Sequence, residues 1–97
     1  MRILENFKKK REFNADNCRR KQQKRKDEDF VRKIDDIKGR IEFVINNSND
    51  EHAVIYCIRD YEKELFERVQ QYFNERNFYT TIITVEGLDN EYIIISW

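Results

Sequence analysis

Ninety-seven residues make at most one compact domain, with room for a thin core but not for a deep substrate cleft beside it. Charged and hydrophobic residues each make up 39%, and 13% are aromatic, which excludes a chain disordered throughout. The net charge of zero averages two halves of opposite sign.

Residues 1–26 carry eleven Lys and Arg against three acids, a net of +8, and residues 27–97 carry eight against sixteen, a net of −8. The sign reverses at Lys26-Asp27-Glu28-Asp29. A cationic segment of this kind neutralises phosphates and releases counterions, lies on the acidic half of its own chain or of a partner copy, or forms a solvated helix face.

Ile3, Leu4 and Phe7 suit one short amphipathic turn. Asn14 or Asp16 is placed to cap a new helix after the break at Asn14-Ala15-Asp16-Asn17. From Arg19 to Asp29 there is no apolar residue, yet Arg, Lys, Gln and Glu favour a helix. Phe30, Ile34, Ile37, Ile41 and Val44 recur at steps of four and three, which predicts one apolar helical face. Gly39 weakens that helix and leaves room for another element to approach. Helix is preferred to strand for Ile41–Ile45 because the spacing continues through it, and Asn46-Asn47-Ser48-Asn49-Asp50 is a stop.

Ala53–Ile58 is a short apolar run expected to form a strand. Asp60 resembles an N-cap for a helix in which Tyr61, Leu65, Val69 and Phe73 step by four, with Phe66 and Tyr72 beside them. Glu64 and Arg68 suit an i,i+4 pair, and Asn77 a helix end. Tyr79–Val85 and Tyr92–Trp97 are expected strands joined through Gly87-Leu88-Asp89-Asn90. The last strand is apolar on both faces and belongs in the centre, with the threonine-rich strand at an edge.

The expected class is therefore α+β, in the order α-β-α-β-β. A three-stranded mixed sheet, its β-α-β link a crossover between parallel strands, carries helices on one face. A charged helical arm (1–29) precedes the domain (30–97). The expected core is Phe30, Ile34, Ile37, Ile41, Val54, Ile55, Leu65, Val69, Phe73, Ile83, Ile93 and Ile95. One helical layer leaves the other sheet face open, for which a homodimer is the expected cover.

Residues 30–97 resemble small α/β proteins common in bacteriophage genomes. The likeness is carried by the Ile34/Ile37/Ile41 helix, the strand at Val54-Ile55-Tyr56 and the helix Leu65…Val69…Phe73. Two further features are the junction Tyr72-Phe73-Asn74-Glu75-Arg76-Asn77-Phe78 and the ending Ile93-Ile94-Ile95-Ser96-Trp97. The resemblance implies a fold and not an activity, and it carries over no site residue; the expected role is that of a small accessory protein.

No enzyme is expected. His52 is the single histidine, and by strand alternation it lies on the face opposite Cys57, so the two make no nucleophile–base pair. Cys57 reads as a small core residue. The adjacent acids Asp27/Glu28/Asp29, Asp35/Asp36 and Asp50/Glu51 solvate helix faces and do not converge as a metal site would require. No cofactor or metal motif is present. Cys18 and Cys57 have no zinc or disulfide spacing and read as free thiols of the cytoplasm, a host's if the chain is viral. No apolar run reaches membrane-spanning length, and residues 1–7 have no signal-peptide core.

Binding is therefore the expected role, first to a protein partner as inhibitor or adaptor. The alternatives are sequence-independent nucleic-acid binding through the arm, or assembly of copies. Arg19, Arg20, Lys21, Lys24, Arg25 and Lys26 are the candidate phosphate contacts. Tyr56, Tyr79, Tyr92 and Trp97 are expected to bury against the helices or an interface rather than stack bases.

Overall fold

The computed structural model describes residues 13–87 and 90–97, so the expectations for Ile3, Leu4 and Phe7 and for the turn at Leu88-Asp89 lie outside the described residues. Helix α1 spans Ala15–Asn47, 33 residues. Asn14 has extended backbone, and its side-chain oxygen accepts the N–H of Asn17 at 2.9 Å, which satisfies one of the orphan donors of the first turn. The helix runs unbroken through residues 29 and 30, so the reversal of charge falls in mid-helix. It ends at Ser48, whose N–H donates to the carbonyl of Val44 and whose Oγ accepts the N–H groups of Asp50 and Glu51. Ile41–Ile45 is helical, as its spacing predicts. The expected close approach at Gly39 does not occur: a Cβ there would meet nothing within 4 Å.

Strand β1 (Ala53–Ile58) leads to a single 3-10 turn at Asp60–Glu62, and helix α2 follows over Lys63–Asn74. Asp60 is therefore the first residue of the 3-10 turn and not the cap. Glu62 closes the turn instead, its carboxylate accepting the N–H of Arg59 at 3.3 Å. Asn77 terminates α2 in the left-handed region at φ 68°, one that asparagine tolerates. The Phe78 N–H then donates to the carbonyl of Phe73 and the Asn77 N–H to that of Asn74, a Schellman closure. The Phe73 and Phe78 rings pack edge to face at 5.2 Å across it.

Strands β2 (Tyr79–Thr84) and β3 (Glu91–Ser96) complete a sheet in the order β1-β3-β2. The apolar last strand is central and the threonine-rich one lies at an edge, as the composition predicts. The expected mixed sheet is corrected: both pairings are antiparallel. β1 and β2 do run in the same direction, but β3 inserts between them, so the crossover creates no parallel ladder.

The core lies between the helices and one sheet face. It comprises Ile34, Ile37, Ile41 and Val44 from α1, Val54 and Ile58 from β1, Phe66, Val69 and Phe73 from α2, and Ile93 and Ile95 from β3. Four core expectations fail. Ile55 is 59% exposed because alternation along β1 turns it to the open face, Cys57 is exposed on that face for the same reason, and Leu65 and Ile83 are only half-buried. Phe66 is 1% exposed in place of Leu65, because 66, 69 and 73, spaced by three and four, share the inward face of α2. Phe30 packs half-buried at the margin, and Val44, on the predicted helical face, joins the core together with Ile58 and Phe66.

Candidate nucleic-acid interface

The candidate phosphate contacts all lie within the first four turns of α1, and between Ala15 and Asp29 no residue is buried. This half of the helix is continuous with the packed half. Local pairs support it: Arg19 meets Asp16 at 2.6 Å, and Gln23 donates to Asp27 at 3.0 Å.

The six cations divide into two sets. Arg19 is held by Asp16, and Lys26 reaches Glu64 of α2 at 3.6 Å. Among the described residues Arg20, Lys21, Lys24 and Arg25 make no ion pair, and all four are exposed. Helical geometry explains the division. At about 100° per residue these four occupy an arc of roughly 140°, centred about 150° from the arc of Ile34, Ile37, Ile41 and Val44. Lys26 falls within the core-facing arc and therefore meets α2, whereas the other four face away from every other element.

The stripe has a boundary. Farther along the same outward arc stand Glu28, Asp35 and Glu42, exposed and without ion pairs among the described residues, together with Arg32, which is paired to Asp29, and Lys38, which lies over the Tyr72 ring of α2. The unpaired charge on the outer face is thus positive on the first turns and mainly negative afterwards. A polyanion is attracted to the first part and repelled by the second.

On the inner side, α1 is joined to α2 and to the 3-10 turn before it by pairs close in space but far apart in sequence. Asp27 accepts from Arg68 at 3.2 Å, and Lys33 meets Glu62 at 3.7 Å, both ends largely covered. The expected Glu64–Arg68 pair within α2 does not form, because each side chain is drawn to α1. A cleft of about 580 Å³ opens here, bordered by Lys26, Lys33, Tyr61, Glu62, Leu65 and Arg68. Its cations are already engaged by these acids.

The aromatics also divide. Tyr56 and Trp97 pack against the core on the helical side of the sheet, Trp97 edge to face with Phe78 at 6.4 Å. Tyr79 and Tyr92 belong to the opposite face. Burial raises the Tyr56 phenol above its ordinary pKa, and nearby Asp36 adds to the rise while Arg40 opposes it. His52 contributes its carbonyl to the N–H of Trp97 at 3.0 Å, closing the end of the sheet. Among the described residues there is no cluster of three or more metal-ligating side chains, and no helix is long and apolar enough to cross a membrane.

Fold and site together define an α+β protein with a projecting helix whose outer face is cationic at one end. No known protein family, curated protein or solved structure matches the chain.

Proposed function

We propose that the protein binds nucleic acid without regard to sequence, through Arg20, Lys21, Lys24 and Arg25 of α1. One observation carries this reading: these four cations stand together, exposed, with no acidic partner among the described residues. Had the acidic half of the chain been their purpose, they would face it, as Lys26 does. Neutralising phosphates releases condensed counterions, and that release drives sequence-blind association. No aliphatic or aromatic side chain interrupts the stripe, so the contact follows the backbone. Glu28 and Asp35 confine the phosphates to the first turns, so the strand crosses the helix rather than running along it. The order of the sequence-based expectations is thereby reversed, with nucleic acid now ahead of a protein partner.

Retention of duplex DNA and RNA of random sequence, measured against salt, tests the reading. Affinity is expected to fall steeply with salt and to vary little with sequence. Replacing all four residues by Gln flattens the salt slope by about three to four units if each meets one duplex phosphate. A wild-type chain that retains neither polymer at low salt overturns the proposal.

A further inference from the structure

The sheet face turned away from the helices has an unusual composition for this chain. Register and alternation place nine residues on it in three rows: Ala53, Ser96 and Tyr79; Ile55, Ile94 and Thr81; Cys57, Tyr92 and Ile83. None is charged, in a protein where 39% of residues are. Ile55 is 59% and Tyr79 74% exposed. Three strands about 4.8 Å apart, each six residues of about 3.3 Å, give this face a footprint of roughly 300 Å².

We infer that this face pairs with the same face of a second copy, forming a two-fold dimer with sheet packed on sheet. Charge selects the occupant. A polyanion would find no cation on these nine positions, whereas a second copy brings the same neutral surface and meets no unpaired charge. The chain's own residues 1–12 are short for that purpose, because α1 begins about 30 Å along the helix axis from Ile34, its first buried residue. Reaching the open face would take that distance and a passage round a sheet edge, which consumes most of an extended reach of about 40 Å. Two such footprints fall below the ~1,200 Å² of a standard interface, so the dimer is weak and concentration-dependent. It turns both copies of α1 outward, leaving both cationic stripes free.

Sedimentation velocity of the full chain under reducing conditions tests this, from about 10 µM to about 1 mM. Runs in about 0.1 M and about 1 M salt compare Debye lengths of about 10 and about 3 Å. A dimer that grows with concentration and persists in high salt is expected. Ile55→Lys and Thr81→Lys should each weaken it at least about tenfold, since a buried like-charge pair would cost well over 1.4 kcal/mol. Both positions are exposed, so both variants should keep the wild-type circular dichroism. A monomer throughout the range overturns the inference. So does a dimer that dissolves in high salt yet survives both substitutions, which would instead mark pairing of the cationic stripe with an acidic surface.

Discussion

Arg68 of α2 donates to Asp27 of α1 at 3.2 Å across 41 residues of sequence, and the same guanidinium lies 4.3 Å from the centre of the Phe30 ring. One side chain therefore binds the second helix both to the charge boundary and to the first residue of the apolar stripe on the long helix. Both ends of the ion pair are about half exposed, so solvent screens it. The pair should contribute about 0.2–1 kcal/mol and the stacking about 0.5–1 kcal/mol. Arg68→Ala is accordingly expected to cost more than Asp27→Ala in urea unfolding. A double-mutant cycle with equal single losses would remove the Phe30 contribution.

The buried anchor of α2 is Phe66, not its neighbour Leu65. Phe66→Ala should lose about 3–5 kcal/mol, the range for a fully buried phenylalanine. Leu65→Ala, at the half-buried margin of the cleft, should lose less than the ~2 kcal/mol at which buried-leucine losses begin. Chemical denaturation of the two variants gives the comparison directly, and the reverse order would place the helix in the wrong phase.

Within the cationic set, pairing predicts rank. Substituting Arg19 and Lys26 together by Gln should change the salt slope by less than substituting Lys21 and Lys24, because Asp16 and Glu64 already hold the first two. If the stripe meets duplex phosphates, the second substitution is expected to reduce the slope by about two units. Equal effects in retention assays would show that the intramolecular pairs give way to phosphate.

Gly39 lies exposed in mid-helix with open space around it. Gly39→Ala should raise stability by about 0.5–1 kcal/mol, since alanine restricts the unfolded chain and favours helix. Thermal unfolding measures it. A destabilised variant would mean that some contact depends on the bare backbone there.

Tyr56 predicts a limit at alkaline pH. Its folded-state pKa is raised by burial and by Asp36, so the unfolded chain gives up this proton first. The contribution is fully present below the ordinary tyrosine value of about 10 and is lost as pH rises through the higher folded value. Stability should therefore decline above about pH 10, and Tyr56→Phe should flatten that decline. Spectrophotometric titration at the phenolate band should find Tyr56 ionising above free tyrosine.

Much of this architecture is local and therefore legible in sequence. The steps of four and three from Ile34 to Val44 define a helical stripe whatever surrounds it. The polar cluster at Asn46–Asp50 ends the helix through its own side chains, and the apolar–threonine contrast ranks β3 inside β2. The stripe of Arg20, Lys21, Lys24 and Arg25 is likewise visible as soon as the segment is taken as helix, because angular position depends on spacing alone. What remained undecided were matters of phase and partner. On α2 the positions 65, 69 and 73 and the positions 66, 69 and 73 both describe a helical face, and only docking against the sheet chose Phe66 over Leu65. Alternation in β1 fits either face, and only packing under α1 turned Val54 and Ile58 inward and left Ile55 and Cys57 outside. The pairing of β3 with both other strands was decided by long-range hydrogen bonding. Which cations are free was decided when α2 docked on one side of α1, because a charge is neutralised by whatever lies within a few ångströms in space, and sequence spacing fixes that distance only along a single helix.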